Sequence, residues 1–385
     1  MSTKYKIVYL IDTLQTGGAE KSLVEMAVAN KQVQSYFITL YTGNALAPIL
    51  EEHNIPLFAL NSNRKYGFKE AVKKIIPIIQ EIQPDLIHTT LFRADMVGRL
   101  LKSHFNIPLI SSIVSNSYLE ERYEHLSLPG KLKLYAVQWY DRRTAPGVNL
   151  FIANSETVKA SNAQFLKVPL SKIKVIYRGR MAEVFNNVNT NKLENLKKDL
   201  GASGKKVLLN VSRLLDSKGQ LDLINAFAAV VLQHPNALLL IAGEGPFRNI
   251  VDQQIKTLGL QDKVHLLGNR NDVPELLALA HVFVFPSYYE GLPGAILEAM
   301  FAKKIIICSD IPENKECVSE ASAVFFKKGL INDLADKINH VLLQQEAYMS
   351  RALEAEKIAH QKFDIDIMVQ QYNNVYQQLI QHYKS

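Results

Sequence analysis

The chain has 385 residues, a formal net charge of +7, 48% hydrophobic residues and 21% charged residues. This composition is ordinary for a globular protein and excludes a chain that is disordered throughout. The length exceeds what one compact core usually holds, so we expect two domains. No apolar stretch approaches the roughly 20 residues that a membrane-spanning helix needs. The two cysteines, Cys308 and Cys317, are too few for a disulfide framework and lack metal-ligand spacing.

The positive charge is concentrated in the first half of the chain. Residues 1–185 contain 23 Lys and Arg against 15 Asp and Glu, giving +8, whereas residues 186–385 contain 21 against 22, giving −1. This asymmetry predicts that the first half meets an anionic surface, such as a membrane leaflet, a lipid phosphate or a nucleic acid. The opening residues lead directly into an apolar run without a signal-peptide cleavage pattern, so we expect a cytoplasmic protein.

Short apolar runs alternate with helical patterns along the first half. The predicted strands are 7–11, 36–40, 57–60, 86–88, 109–114 and 150–153, and predicted helices include 46–53, 68–82 and 94–104. This alternation favours a parallel sheet covered on both faces, with ligands beyond the carboxyl ends of its strands. His88 and Ser115 fall at such ends, and we expect them to face a cleft near the acceptor. A hydrogen-bonded structural role for His88 is the alternative.

A Gly17-Gly18 turn separates the first predicted strand from a helical pattern that contains Leu23 and Met26. Such a turn allows the backbone to approach a ligand closely. The GxGxxG fingerprint is absent, which disfavours a dinucleotide site. A glycine-rich connection without a ligand explains the turn equally well.

The segment 118–143 interrupts the alternation with aromatic and basic residues. Leu132, Tyr135, Ala136 and Trp139 share one face of a predicted helix. The candidate membrane-binding residues there are Lys131, Lys133, Trp139, Arg142 and Arg143. A helix in a bilayer interface combines such groups, and the basic first half favours this interpretation. A core-packing helix with solvated flanks is the alternative.

The alternation restarts after a polar, asparagine-rich stretch. We therefore predict a first domain at 1–180, a linker at 181–204 and a second domain at 205–365, with a helix at about 366–385 packing back on the first domain. Predicted strands of the second domain are 207–211, 237–242, 264–267, 280–285 and 305–308. The fold class is α/β, with two doubly wound Rossmann-like domains facing an interdomain cleft.

Residues 285–300 combine a strand end, a Gly/Pro loop and a helix start, with Glu290 and Glu298 at either end. Backbone N–H groups at such a turn attract anionic oxygens, and a nearby carboxylate accepts hydrogen bonds from vicinal hydroxyls. Arg213 and Lys218, five residues apart on one loop, suit a diphosphate. These features favour a phosphorylated sugar as the ligand. A solvated loop with ordinary surface charges is the alternative.

Four motifs, in order and spacing, resemble those of retaining nucleotide-sugar glycosyltransferases of the GT-B fold, specifically family 4. They are GGAEK at 17–21, Ser212-Arg213 with Lys218-Gly219, Gly243-Glu244-Gly245-Pro246, and Glu290-Gly-Leu-Pro-Gly with Glu298. Glu290 and Glu298, separated by seven residues, match the paired-glutamate motif of that family. The resemblance covers nearly the whole chain and is strongest after residue 205.

The resemblance implies that Arg213, Lys218 and Glu290 form the catalytic group. Arg213 and Lys218 would hold the donor diphosphate, Glu290 would contact hexose hydroxyls, and Glu298 would accept hydrogen bonds from the ribose. The other implied donor-binding residues are Gly17, Gly18, Gly243, Leu292, Gly294 and Ala295, with Asn269 and Arg270 beside the nucleobase. The family often carries a histidine after the strand at 109–114, where this chain has Val114-Ser115-Asn116. The catalytic or sugar-contacting role of that histidine therefore has no direct counterpart here.

The implied reaction transfers a hexose, with retention, from a nucleoside-diphosphate sugar to a hydroxyl of a glycan or lipid-linked glycan in cell-surface polysaccharide biosynthesis. Uridine is the commonest base, and the resemblance implies no metal and no cofactor beyond the donor. We expect peripheral contact with an anionic membrane on its cytoplasmic face and no nucleic-acid partner. Alternatives are a GT-B nucleotide-sugar epimerase, a soluble-sugar transferase, and a nucleotide-sugar-binding subunit with little activity.

Overall fold

The structure is a computed structural model that describes residues 4–116, 118–120, 123 and 126–384. The chain divides into two compact units. The first comprises Met1–Gly179 and Ile365–Ser385, and the second comprises Arg180–Asp364. Each unit is built on its own parallel sheet.

The described part of the first unit contains a seven-stranded parallel sheet in the order β3-β2-β1-β4-β5-β6-β7. Its strands are β1 (Tyr5–Ile11), β2 (Val33–Thr39), β3 (Leu57–Ala59), β4 (Leu86–Thr90), β5 (Leu109–Ile113), β6 (Leu150–Ala153) and β7 (Ile173–Val175). Its helices include α1 (Gly18–Ala29), α2 (Ala47–Glu52), α3 (Phe68–Ile82), α4 (Phe92–Leu101), α5 (Leu128–Thr144) and α6 (Glu156–Leu166). Central strands such as β1 are apolar on both faces, because helices cover the sheet from both sides.

The second unit repeats this architecture with a six-stranded sheet in the order β10-β9-β8-β11-β12-β13. Its strands are β8 (Lys206–Val211), β9 (Ala237–Ala242), β10 (Val264–Gly268), β11 (Val282–Phe285), β12 (Ile305–Ser309) and β13 (Val324–Phe326). Its helices are α7 (Glu183–Asn186), α8 (Thr190–Asp199), α9 (Gln220–Gln233), α10 (Arg248–Thr257), α11 (Val273–Leu279), α12 (Gly294–Phe301), α13 (Pro312–Cys317), α14 (Ile331–Leu343) and α15 (Gln345–Lys362). The prediction of two Rossmann-like domains is confirmed.

The stretch 181–204 does not form the predicted linker. It contains α7 and α8 and lies within the second unit. Asn189 caps α8 by accepting a 3.0 Å hydrogen bond from the N–H of Lys192, and Leu196 is buried on the inner side of the helix. Asparagine is as typical of helix caps as of loops, which explains why composition alone suggested a linker.

The last helix, α16 (Ile365–Lys384), belongs to the first unit. It buries Met368, Tyr372 and Tyr376 there, and Asn373 accepts a 2.8 Å hydrogen bond from Asn30, which directly follows α1. Among the residues that the structure describes, no helix is long and apolar enough to cross a membrane.

Candidate functional site

The sheet of the second unit reverses its direction of growth between the adjacent strands β8 and β11. In doubly wound sheets, ligands bind at the carboxyl ends of the two strands on either side of such a reversal. The loop 212–219 follows β8, and the loop 286–293 follows β11. The predicted catalytic residues Arg213, Lys218 and Glu290 lie on these two loops.

The two loops are joined by close backbone contacts. The N–H of Tyr288 donates a 2.9 Å hydrogen bond to the carbonyl of Ser217. Gly219 has φ +67°, and a Cβ atom there would lie 2.2 Å from the carbonyl oxygen of Pro286. The loop after β9 approaches equally closely, because a Cβ on Gly243 (φ +143°) would lie 1.9 Å from the carbonyl oxygen of Ser212. Only glycine allows these loops to pack so closely.

Lys218 and Glu290 form an ion pair across the two loops. The Nζ–Oε1 distance is 2.5 Å, and the side chains are only 14% and 11% exposed. A cation and a carboxylate thus lie side by side at the reversal point of the sheet. Arg213 on the same loop is exposed, and its side chain makes no ion pair with the described residues. Arg213 is therefore accessible to an anion from solvent.

Helix α12 begins directly after the second of these loops. Its first N–H groups, at Gly294 and Ala295, have no acceptor within the helix, and the helix dipole makes this end positive. The Leu292 side chain is buried, so the loop can offer a ligand only the backbone of this residue. Glu298 lies one helical turn farther on and is 6% exposed. The N-terminal end of α12 thus combines N–H donors with a nearby carboxylate.

Arg180 contacts this end of α12 and was not predicted from the sequence. Its Nε donates a 3.0 Å hydrogen bond to Oε1 of Glu298, and the two side chains are 3% and 8% exposed. The partners are 118 residues apart in the chain. No local pattern marks such a pair, since Arg180 follows a short strand and precedes a polar stretch.

The predicted nucleobase residues lie on the loop after β10. Asn269 is exposed, and Arg270 donates from Nε to Oδ1 of Asp272 at 2.7 Å. This hydrogen bond raises the pKa of Arg270, so the guanidinium stays charged. The structure places Asn269 and Arg270 at the carboxyl edge of the same sheet as Lys218 and Glu290.

In the first unit, Gly17 and Gly18 form the start of α1, after β1. A Cβ atom on Gly18 would lie 3.3 Å from Nη1 of Arg178, so a guanidinium packs against this turn. Asp12, directly after β1, accepts a 2.9 Å hydrogen bond from the N–H of Ala94 and a 3.1 Å hydrogen bond from Nη1 of Arg93. These two hydrogen bonds connect the segments that follow β1 and β4.

A cavity of about 30 Å³ lies at the carboxyl ends of β4, β5 and β6. It is lined in part by Thr90, Ser112, Asn154 and Arg178. Oγ1 of Thr90 and Oδ1 of Asn154 are buried there without a hydrogen-bond partner among the described residues. The volume suits one or two water molecules and is too small for a hexose.

His88 does not face an open cleft, contrary to the prediction. It is completely buried, and its ring nitrogens contact the hydroxyls of Tyr376 and Ser112, each at 2.7 Å. Burial lowers the pKa of His88 to about 3, so the ring is neutral. The structural role was therefore the correct alternative. Ser115, after β5, is exposed, and its acceptor role stays a prediction.

The buried His88 predicts a specific dependence of stability on pH. Its folded pKa of about 3 lies below the unfolded value near 6.5, so the unfolded state binds one more proton between these values. The contribution of His88 is complete above pH 6.5 and declines by up to about 1.4 kcal/mol per pH unit as the pH falls toward 3. We expect the free energy of unfolding of the wild type, minus that of His88→Gln, to fall by about 2 kcal/mol between pH 7.5 and 5.0.

Urea unfolding followed by circular dichroism at the two pH values measures this difference. Asp95, whose pKa burial raises to about 7, titrates in both proteins and drops out of the comparison. A difference that stays constant between pH 7.5 and 5.0 would contradict the assignment of His88 as buried and neutral.

Helix α5 presents an apolar stripe to solvent. We call Leu128, Leu132, Tyr135 and Trp139 the α5 stripe; they are 71%, 62%, 56% and 66% exposed. The basic residues Lys131, Lys133, Arg142 and Arg143 flank it. The stripe is not packed in the core, so the core-packing alternative is wrong for this face.

The opposite face of α5 is fixed to the first unit by a buried polar cluster. Asp141 pairs with Arg99 of α4 at 2.7 Å and accepts a 2.7 Å hydrogen bond from the hydroxyl of Tyr118. Leu134 and Val137 add apolar contacts on the same side. The residues 117, 121, 122, 124 and 125, which precede this helix, lie outside the described residues.

No group of three or more His, Cys, Asp or Glu side chains within the described residues is arranged to hold a metal ion. Independence from metal stays a prediction. The two cysteines, Cys308 and Cys317, are buried and reduced.

Comparison with known families and structures agrees with this arrangement. The family described as Glycosyltransferase Family 4 matches residues 16–182, and the family described as Glycosyl transferases group 1 matches residues 192–358. Among solved structures, Anabaena HepE in complex with UDP-glucose is 26% identical with a TM-score of 0.83, over 97% of this chain and 99% of that one.

Two curated relatives align over most of their length. The Campylobacter jejuni N,N'-diacetylbacillosaminyl-diphospho-undecaprenol alpha-1,3-N-acetylgalactosaminyltransferase is 25% identical over 79% of this chain and 80% of the relative. The Escherichia coli UDP-Gal:alpha-D-GlcNAc-diphosphoundecaprenol alpha-1,3-galactosyltransferase is 26% identical over 88% of this chain and 87% of the relative. The chain therefore belongs to the GT-B glycosyltransferases of the family 4 type.

Proposed function

We propose that this glycosyltransferase moves a hexose from a UDP-sugar to a hydroxyl of a lipid-linked glycan, with retention of configuration and without a metal ion. The observation that carries the proposal is the Lys218–Glu290 pair beside the N-terminal end of α12. This arrangement offers a cation for a diphosphate and a carboxylate for sugar hydroxyls within one small region of a single sheet.

The reaction breaks the bond between the anomeric carbon and the diphosphate oxygen and forms a bond from that carbon to the acceptor oxygen. The acceptor hydroxyl releases its proton to the departing phosphate, so no protein base is required. Arg213, Lys218 and the first N–H groups of α12 stabilise the charge that develops on the leaving diphosphate. Their positive charge takes the part that a metal ion plays in other phosphate chemistry.

The similar proteins support the choice of donor and acceptor. HepE was solved with UDP-glucose, and the Escherichia coli relative is named for a UDP-galactose donor. The Campylobacter jejuni and Escherichia coli relatives are both named for acceptors on undecaprenyl diphosphate. A lipid-linked acceptor also fits the basic first half of the chain and the α5 stripe.

A panel of nucleotide sugars with undecaprenyl-diphosphate-linked sugars tests the proposal. We expect acceptor-dependent release of UDP, unchanged by EDTA, and an α-linked product from an α-linked donor as judged by anomeric NMR couplings. Loss of activity in EDTA would contradict metal independence, and a β-linked product would contradict retention. Tight donor binding without turnover on any acceptor would favour a nucleotide-sugar-binding subunit instead.

The α5 stripe and its basic flanks are proposed to bind the anionic surface of a membrane peripherally. Apolar side chains between cations are what an interfacial helix presents to lipid, and each Lys or Arg near an anionic leaflet contributes about 1 kcal/mol. Because Asp141 holds the inner face of α5 on the first unit, the α5 stripe faces outward while the helix stays folded. The proposed localisation is therefore peripheral.

Sedimentation with vesicles of phosphatidylglycerol and phosphatidylcholine measures this binding. We expect Leu132→Ser combined with Trp139→Ser to weaken binding at least about 100-fold, because roughly 1.5–3 kcal/mol is lost for each of the two large apolar side chains. Neutralising the four flanking cations should weaken it by a similar or larger factor. Leu232→Ser is the matched control, since Leu232 is 82% exposed in the second unit. Undiminished binding after both sets of changes would contradict the assignment.

A further inference from the structure

Arg180 stands out in the second unit because it is a buried cation against a carboxylate that the proposed function assigns to ligand binding. Only 3% of its side chain is exposed. Its backbone is fixed as well, since the N–H donates a 2.8 Å hydrogen bond to the carbonyl of Phe363 and the residue forms a parallel bridge with Asp364. The guanidinium thus extends from a backbone position that is held independently of α12.

The guanidinium spans one turn of α12. Gly294 and Glu298 are four residues apart, so they lie on the same face of the helix. A Cβ atom on Gly294 would lie 2.5 Å from Nη2 of Arg180, and Nε of the same side chain is 3.0 Å from Oε1 of Glu298. The absence of a side chain at position 294 therefore leaves the space that the guanidinium occupies.

The position of the Arg180 guanidinium does not by itself stabilise the folded protein. A positive charge near the N-terminal end of a helix is repelled by the helix dipole, and burying an ion pair costs desolvation that an apolar pair of similar size would avoid. What the ion pair does provide is a fixed direction for the carboxylate, because the planar guanidinium holds its partner in one geometry.

We propose that Arg180 is a positioning residue that orients Glu298 toward the ribose hydroxyls of the donor, so that discrimination for a ribonucleotide depends on the Arg180–Glu298 pair. Arg180 acts through Glu298, to which its Nε donates a hydrogen bond. This inference rests on the proposed function, which assigns the ribose to Glu298. It adds Arg180, the first residue of the second unit, which the sequence motifs do not include.

The test compares the affinity of the full chain for UDP with that for 2′,3′-dideoxy-UDP by calorimetry. For the wild type we expect the dideoxy analogue to bind at least about 10-fold more weakly, the factor lost with one hydrogen bond to a charged group. For Arg180→Met we expect this ratio to fall below about 3-fold, with weaker UDP binding and nearly unchanged binding of the analogue. The ratio is independent of the folded fraction, because both ligands are measured on one preparation.

A second variant covers the case in which Arg180→Met does not fold. Gly294→Ala keeps every charge but places a methyl group against the guanidinium, and we expect it to lower the ratio as well. Arg351→Met is the matched control, since Arg351 donates to the carbonyl of Ala323 at the far edge of the same sheet. It should keep the wild-type ratio.

The outcomes separate this inference from the proposed function. A wild-type protein that discriminates the ribose, together with a folded Arg180→Met or Gly294→Ala variant that keeps the same ratio, would overturn the inference alone. A wild-type protein that binds UDP and the analogue equally would overturn the role of Glu298 and of Arg180 together. A wild-type protein that binds no UDP would overturn the proposed donor as well.

Discussion

Replacing Arg213 with alanine should lower the rate of acceptor-dependent UDP release by about 10²–10³-fold, the effect of losing one donor that stabilises a developing oxyanion. Arg213 is exposed and makes no ion pair with the described residues, so its charge is available to the leaving diphosphate. Lys218 cannot replace it fully, because that cation already pairs with Glu290. The loss should appear mainly in kcat, since the interaction strengthens as the diphosphate departs.

Steady-state kinetics with the preferred donor and acceptor measure this effect. Lys256→Ala is the matched control, because Lys256 is an exposed cation of the same unit that pairs with Asp252 on α10. That variant should keep the wild-type rate. An Arg213→Ala variant that retains more than about a third of the wild-type kcat would remove Arg213 from the mechanism.

The second large effect is expected for Gly243→Ala, which should destabilise the second unit by at least about 3 kcal/mol and abolish donor binding. The residue has φ +143°, a region that costs an L-amino acid about 1–3 kcal/mol. The added Cβ would also lie 1.9 Å from the carbonyl oxygen of Ser212, which is backbone and cannot move aside alone. Relieving this contact would separate the loops that follow β8 and β9.

Gly259→Ala provides the control for this prediction. Gly259 also has a positive φ, +66°, but a Cβ atom there would meet nothing within 4 Å. The difference between the two variants in thermal unfolding therefore reports the steric contact at Gly243 together with the greater backbone strain at φ +143°. If Gly243→Ala and Gly259→Ala had equal melting temperatures and equal donor binding, the prediction that these two loops must pack closely would be wrong.

The fold could be predicted from the sequence because its signals are local. Runs such as 7–11 and 237–242 are apolar throughout, which is how strands buried on both faces appear. The loops that contain Arg213, Lys218 and Glu290 follow such strands directly, so the carboxyl edge of a parallel sheet brings them together. The structure places Lys218 and Glu290 in contact, although 72 residues separate them.

The predictions that were wrong or missing depend on contacts that a local sequence pattern does not reveal. The sequence around His88 is equally compatible with a histidine that faces a cleft and with a buried one. His88 is buried because α16 packs against it and supplies the hydroxyl of Tyr376, which lies 288 residues later in the chain. Arg180 likewise meets Glu298 only in the folded unit. In 181–204, asparagines suggested a loop, whereas Asn189 caps a helix that buries Leu196.

A thermal-shift comparison of nucleotide sugars measures the central claim most directly, because a ligand that binds the folded state raises its stability by mass action, by about 2.7 kcal/mol at 100 times its Kd. The proposal predicts that one UDP-hexose raises the melting temperature of the wild type by several degrees, that UDP does so less strongly, and that Arg213→Ala and Glu298→Gln reduce the shift. A panel of UDP, GDP, ADP and dTDP sugars in which none raises the melting temperature of the wild type would contradict the account.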